Sequence, residues 1–438
     1  MKLPLASCSL VFALALPTTA MAGGLLDNYL LARDNDPQLK AADATRLAQG
    51  ETKDQSVALL LPNISLSGNT DDVSVRSASN FPLNPSREEG YNSHSYSLTL
   101  TQPVYHHDYW VGLRQADATV AQAEADYGVA KQDLMIRLSS GYFDLLAAQD
   151  NLDFARAEKE ATARQLEQAK QRFDVGLIAI TDVHEAQAQY DLTVAQEISA
   201  DNLLANSREA LQEITGQYEQ APQLLQDEIP LLSPDPTDIE QWVTKASQQN
   251  LGLKSAQFAR EVASEEINRQ RSGHYPTLDL VASRTDSASR SSTGGETDTD
   301  RLSLQLNVPL FAGGAVSSRT RQAAYRADAA KQTLIQTRRS VVRQTRNAYL
   351  GVTAEISRVK ALKQAVISSS KANEATQAGF EVGTRTIVDV LLSQRELFRA
   401  KRDYARSRYD YILNTLRLKQ AAGSLTVADI EAINKWLK

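Results

Sequence analysis

Cysteine occurs once in the 438 residues, at Cys8, so no disulfide can form within the chain. Past the N-terminal segment no stretch offers the 18 or more apolar residues that a membrane-crossing helix needs. Histidine is scarce, at 5 copies, and no HExxH, Walker A or GxSxG pattern occurs. The chain therefore carries no recognisable catalytic signature, and neither enzyme activity nor a cofactor is expected. Basic charge is not in excess: the net charge is −6, which argues against a nucleic-acid partner. Proline is missing from 111–174 and from 315–381, so both stretches are free to run as unbroken helices. What is present, 42% hydrophobic and 23% charged residues, is the composition of a folded chain with a large core.

Residues 1–22 read as a secretory leader. Lys2 supplies the positive start, Leu10 to Leu16 the apolar run, and Ala20-Met21-Ala22 the small-x-small cleavage site. Leu5-Ala6-Ser7-Cys8 also fits a lipobox, but Cys8 precedes the apolar run, so cleavage there would leave no apolar segment upstream. The mature chain is expected to begin at Gly23 and to contain no cysteine. An exported chain without a membrane helix is periplasmic, secreted or part of an outer-membrane β-barrel.

The mature chain repeats itself. Leu39-Lys40-Ala41-Ala42 recurs as Leu253-Lys254-Ser255-Ala256, and Leu61-Pro62-Asn63-Ile64 as Tyr275-Pro276-Thr277-Leu278. Ser97-Leu98-Thr99-Leu100 with Pro103-Val104-Tyr105 recurs as Ser303-Leu304-Gln305-Leu306 with Pro309-Leu310-Phe311. From Arg114 to Gly216 the two copies keep a constant offset of 207. A repeat of this length is a duplication rather than a solenoid unit. The copies span 23–230 and 231–438.

Each copy predicts the same elements. A helical stretch comes first, at about 25–59 and 236–272. Alternating apolar segments follow, Ile64 to Ser67 with Tyr96 to Tyr105, and Leu278 to Leu280 with Leu302 to Leu310. Period-two spacing marks half-buried strands, placing the strand regions near 60–107 and 275–311. Between the strands lie polar loops, 71–93 and 286–300. Gly294 to Asp300 is acidic but lacks the ligand spacing of an EF-hand, and reads as a solvated hairpin tip.

Long helices follow at 111–174 and 315–381, each about 95–100 Å at 1.5 Å per residue. Leu138, Leu145, Leu152, Lys159, Leu166 and Phe173 recur every seven residues, with Gly141, Ala148, Ala155, Thr162 and Ala169 three residues after the first five. Val352, Val359 and Val366 keep part of that seam, as do Leu391, Phe398, Ala405 and Ile412 on the return. Such spacing brings helices close, as in a coiled coil. Gly176 and Gly383 suit left-handed turns. Asp182 with Glu185, and Thr386 with Asp389, have capping-box spacing for the returning helices. Pro-rich 217–236 joins the copies, and 424–438 is its counterpart. His106-His107 beside Asp108 admits a metal pair; a strand-to-helix corner in an interfacial belt with Tyr105, Tyr109 and Trp110 is the plainer reading.

Four strands cannot close a barrel, for which about eight is the practical minimum, and an open edge cannot face lipid. The chain must oligomerise. Two copies give a filled barrel, and three give twelve strands around an open lumen. Helices of about 100 Å cannot lie in a bilayer about 30 Å thick, so they project from it as a tube.

Two segments carry a resemblance: Phe173-Asp174-Val175-Gly176-Leu177-Ile178-Ala179-Ile180-Thr181-Asp182-Val183, and Gly383-Thr384-Arg385-Thr386-Ile387-Val388-Asp389-Val390-Leu391. They resemble the helix-turn-helix tips of the TolC-type outer-membrane channel-tunnel family, and the similarity extends over nearly the whole mature chain. It implies an α+β membrane protein, a homotrimer with a twelve-stranded β-barrel of four strands per chain, continuous with a long α-helical coiled-coil tunnel. It also implies an equatorial belt built from 217–236 and 424–438. The implied role is an outer-membrane exit duct for drug efflux or type I protein secretion. Outer-membrane lipid, a periplasmic adaptor and an inner-membrane RND, ABC or MFS transporter are the implied partners.

By the same resemblance Asp389 matches an acidic ring of the gate, at which a divalent cation would block, and Leu392 replaces a second ring. Arg385 matches an arginine that ties neighbouring helices, with Asp150 and Gln149 as its partners. Phe380 replaces a tyrosine, which removes one hydroxyl hydrogen bond and implies a gate that opens more readily. Val175, Gly176, Leu177, Val382, Gly383 and Thr384 match the tips that meet the adaptor. On the residues alone, Asp389 is equally a helix cap, Arg385 a solvated charge and the tips plain turns. A passive porin or a periplasmic coiled-coil scaffold are the rival functions. A porin needs more strands per chain and no long helices, and a scaffold leaves the strands without purpose.

Overall fold

The computed structural model describes residues 23–77, 87–219, 221–291 and 294–438. The leader, Cys8 and part of the first polar loop lie outside the described residues. The chain runs α1 (Leu25–Asn35), α2 (Pro37–Ala58), β1 (Asn63–Ser77), β2 (Arg87–Tyr105), α3 (His107–Asp174) and α4 (Ile180–Thr215). The second copy runs α5 (Ile239–Gln249), α6 (Leu251–Arg271), β3 (Thr277–Ser289), β4 (Glu296–Asn307), α7 (Ala315–Glu381) and α8 (Ile387–Ala421), and α9 (Val427–Asn434) closes the chain.

Each predicted first helix is in fact two. Pro37 has no N–H and opens α2, where none is needed, and the Asp36 carboxylate accepts from Leu39 N at 2.8 Å. Asn250 makes the same cap in the second copy, accepting from Leu253 N at 2.9 Å. Asp36 is 1% exposed and is held by both terminal nitrogens of Arg137 on α3, at 3.1 and 2.8 Å. Burial alone would raise its pKa; the Arg137 hydrogen bonds and the Leu39 N–H outweigh that and hold it below the ordinary carboxylate value.

The four strands form one antiparallel sheet in the order β1-β2-β3-β4. The two hairpins join through β2 and β3, in a register that places Leu100 opposite Ala282. Even-numbered residues share one face: Ile64 and Leu66, Leu98 and Leu100, Leu278 and Leu280, and Leu302, Leu304 and Leu306. Ile64, Leu66, Leu98 and the three leucines of β4 are all exposed in the single chain, an apolar band that only lipid would cover. The odd face carries Ser65, Ser67, Ser97, Thr99, Ser283 and Ser303, the polar lining of a wet lumen. Tyr105, Trp110, Tyr275 and Phe311, all exposed, ring the helix end of the band.

Strands run further than the alternation suggests: β1 continues to Ser77, β2 begins at Arg87, and β4 includes Glu296 to Asp300. Beyond the apolar band both faces are polar, so the ladder continues without any alternating signal. At the junction with α3, His106 Nε2 bonds Asp279 Oδ1 at 3.1 Å and its ring stacks on Tyr109 at 4.4 Å. His107 instead meets the edge of Tyr275 at 4.9 Å. The two imidazoles serve different contacts at the corner.

From the sheet, α3 and α7 each extend about 100 Å and return as α4 and α8. The heptad seam packs as its spacing implies: Leu138, Leu145, Leu152, Leu166, Val352, Val359, Leu391, Phe398, Ala405 and Ile412 are buried. Phe173 is exposed instead, because the helix ends one residue later and the seam has no further partner. Halfway along, a belt grips the bundle. Residues 224–226 pair with 436–438 around a Leu225–Leu437 bridge. Tyr142 on α3 donates to Gln223 O at 2.9 Å, and Tyr411 on α8 accepts from Leu232 N at 2.8 Å. Arg408 reaches Gln226 O at 3.1 Å.

The sheet leaves β1 and β4 with unpaired edges. Because β4 repeats β2 and β1 repeats β3, the β2–β3 register carries over to the junction between copies and places Asn307 opposite Ser67 of the next chain. Ser67→Cys with Asn307→Cys is expected to give a covalent trimer on non-reducing gels. Ser67→Cys with Gln305→Cys, one pair out of register, is not. A second expectation concerns the hinge. Asp36→Asn keeps the cap, as Asn250 shows, but strips Arg137 of its charge partner; because Arg137 is partly in water, a cost of about 1.5 kcal/mol is expected. Since the folded pKa is depressed, this contribution is present at neutral pH and disappears as pH falls through that lowered value. Thermal unfolding of parent and variant followed by circular dichroism across pH checks both.

Candidate functional site

Of the residues singled out for gating, Asp389, Arg385 and Phe380 gather at the far end of the helices, and Asp150 and Gln149 do not. At both turns glycine takes the left-handed conformation, φ +76° at Gly176 and +79° at Gly383, which a Cβ would resist by about 1–2 kcal/mol. Leu177 N bonds Arg172 O and Thr384 N bonds Gly379 O, each at 2.8 Å, so both helices end on the same closed turn. Val175, Leu177 and Val382 stand 70–75% exposed, and Gly176, Gly383 and Thr384 are exposed beside them. Three exposed aliphatic side chains on two tight turns make the end of the hairpins apolar.

Behind the turns a small core holds the two hairpins together. Leu166 and Ala169 of α3, Ala186 of α4, Phe380 of α7, and Ile387, Val390 and Leu391 of α8 pack as one cluster. Phe380 is 5% exposed, and its ring is a packing element of this cluster. The Arg172 guanidinium lies 4.3 Å above that ring and donates to Phe380 O at 3.2 Å.

Asp389 caps α8. Its Oδ2 accepts from Thr386 N and Thr386 Oγ1, both at 3.0 Å, while Thr386 Oγ1 accepts from Asp389 N at 3.3 Å. The Thr386 N–H and hydroxyl, helped by the charge of Arg385, lower the Asp389 pKa. Only one oxygen is used, so the carboxylate keeps a lone face and its charge. In the first copy the box is different: the N-cap of α4 is Ala179, with no side-chain cap, and Asp182 sits three residues in. Expecting Asp182 to be the cap was wrong by three positions. It repeats Asp389, and Ala179 repeats Thr386, but alanine has no acceptor to complete the pair.

Arg385 and its expected partners do not come together. Asp150 lies 24 residues before the end of α3, about 36 Å up the helix. There Tyr409 donates to it at 2.7 Å; burial raises its pKa and that hydrogen bond works against the rise. Gln149 bonds Asp153 at 3.2 Å, one turn away. Rotation about the tube axis preserves height, so the Asp150 of a neighbouring copy is no nearer to Arg385. Its guanidinium forms no ion pair or hydrogen bond with any described residue, and neither does the Asp182 carboxylate. Gly379 makes room for the arginine: a Cβ there would lie 2.8 Å from Arg385 Cγ. Sequence reasoning passed over Arg172, whose repeat mate is Gly379. Only the folded turn shows that its neighbour across the hairpins is Phe380.

The unfinished cap gives an expectation. Ala179→Thr should complete the box with Asp182 and stabilise the first turn of α4 by about 1 kcal/mol, read as slower amide exchange at 180–184 with no change at the second tip.

Comparison with known proteins now bears on this geometry. The sequence description of the family "Outer membrane efflux protein" matches residues 28–217 and 242–424. The chain is 41% identical to the outer membrane protein TolC of Vibrio cholerae, over 97% of this chain and 96% of that one. It is 30% identical to the alkaline protease secretion protein AprF of Pseudomonas aeruginosa, over 96% and 89%. Among solved structures, the Campylobacter jejuni CmeC outer membrane channel superposes with a TM-score of 0.79 at 17% identity, covering 100% of this chain and 98% of that one. The outer-membrane channel OprN gives 0.79 at 18% identity, over 91% and 90%. With a match across most of its length, and with an apolar-faced sheet passing into two long helical hairpins, the chain belongs to the outer membrane efflux protein family.

Proposed function

We propose that three copies of this chain form one exit duct across the outer membrane, and that the α3–α4 and α7–α8 tips make its gate. The observation that carries the reading is the sheet: four strands, apolar on one face and polar on the other, with both edges open. Three sheets joined edge to edge enclose a lumen about as wide as twelve strands allow. The helices prolong that wall away from the membrane. Relatives named for efflux and for protease secretion support a duct that serves drugs, secreted proteins or both, with an adaptor and an inner-membrane transporter of the RND, ABC or MFS type at its tip. The exposed Val175, Leu177 and Val382 are the docking points for the adaptor.

In such a trimer the tip would carry three copies of Asp389 around the axis. Each is kept ionised by its cap, so the ring favours cations and holds a blocking divalent. With Leu392 in place of a second acidic residue, one ring acts alone. The unpaired guanidinium of Arg385 and the unpaired carboxylate of Asp182 each sit at the start of a returning helix, and we read them as an ion pair between neighbouring copies. A soluble scaffold is disfavoured by the bare leucines of β4, which water would have to solvate.

Single-channel recording of the purified protein in a planar bilayer tests this. Small, cation-selective openings are expected, blocked by a divalent cation in the parent and not in Asp389→Asn. Arg385→Ser should raise the resting conductance. Large, steady openings indifferent to divalents would remove the gate, and no openings at all would return the scaffold.

A further inference from the structure

Among the described residues, one polar contact joins the hairpin α3–α4 to the hairpin α7–α8 over their last turns, and it is made by Arg172. The next such link towards the belt is the ion pair of Arg402 with Glu158 at 2.9 Å, a residue 14 positions earlier on α3. Below it the hairpins meet through the apolar cluster and through Arg172 alone. Its guanidinium covers one face of the Phe380 ring at 4.3 Å while one of its nitrogens donates to Phe380 O at 3.2 Å. Both contacts fall on the last turn of α7, at the carbonyl end of a long helix, where a cation is favoured by the helix dipole. Phe380 is buried and Arg172 half-buried, so water competes poorly for either contact.

We infer that Arg172 is an intraprotomer latch: it holds α7–α8 against α3–α4 through a cation–π contact with Phe380 and a hydrogen bond to that residue's carbonyl, and this latch must break for the tip to open. The inference rests on the gated-duct reading above. It also changes what Phe380 means. A phenol hydroxyl would give α7 a hydrogen-bonding handle; a bare ring offers its π face, and arginine, planar and weakly hydrated, is the cation that stacks on it best. Loss of the hydroxyl therefore need not loosen this gate. The contact is also partly desolvated, so salt should screen it less than the exposed charge pairs of the surface.

Three variants test the latch in the full-length trimer. Arg172→Met keeps the length and apolar stem but removes the charge and the donor. Resting conductance, or its open probability, should rise roughly threefold to tenfold, the range of one cation–π contact. Arg172→Lys should restore little, because an ammonium does not stack as a plane. Phe380→Leu should give a similar rise, and Arg172→Met combined with Phe380→Leu should add almost nothing further. Trimer yield and heat resistance on gels should match the parent throughout, which separates a latch from a folding defect. The inference is overturned if Arg172→Met conducts as the parent does, or if its effect persists in full on the Phe380→Leu background, since Arg172 would then act on something else. A chain that forms no channel at all would instead defeat the duct itself.

Discussion

Everything in this chain follows from a rule about backbone in lipid: no N–H or C=O may be left without a partner there. Four strands obey it internally and break it at both edges. The fold is therefore a fragment of a closed object, and the duplication supplies the means of closing it. The β2–β3 seam inside one chain is a pattern for the β4–β1 seam between chains, just as α6, packed between α3 and α7, is a pattern for how α2 can sit between neighbouring copies. The single chain looks poorly packed, with leucines bare on the sheet and arginines unpaired along α7, as a protomer completed by copies of itself would.

Much of this was legible in the sequence because the long-range signals are strong. A 207-residue offset, absence of proline, and a heptad seam leave few alternatives for two helices of this length. The strand positions came through where one face meets lipid and the other water, and faded beyond the membrane, where both faces are wet and polar residues fill both. The break at Asp36 carried a local mark that went unread, an N-cap followed by Pro37 at the first helical position, whereas Asn250 is followed by Leu251 and looks like continuous helix.

The gate was less legible, and for a different reason. Thr386 and Asp389 are three residues apart and could be read locally. Arg385 and its partners could not, since the pairing of a tip residue depends on height along a tube, a quantity that sequence spacing hides. Asp150 seemed close by resemblance and is about 36 Å away by helical rise. Arg172 escaped notice because its importance comes from an aromatic ring on another hairpin. Near this end the two copies keep the turn but differ at single positions: Ala179 against Thr386, Arg172 against Gly379, Ala195 against Arg402. A duplication that keeps its cores but alters its tips has given one hairpin the firmer cap and the other the clasp.

The belt places all the ends of the chain together. Gly23 O accepts from Gln223 N, Leu26 N meets the Asn434 side chain, and Lys438 pairs with Leu224. Each copy of the repeat thus starts and finishes at one level, with its excursions to the membrane and to the tip both returning there. Joining two such units needed only a short bridge between points already adjacent. The same adjacency brings Gly23, Gln223 and Lys438 to one level, so the path from Gly23 to Lys438 is topologically close to a loop. Re-cutting it in the connector, with the native ends tethered, would yield a permuted chain whose order of synthesis is reversed while every helix keeps its neighbours.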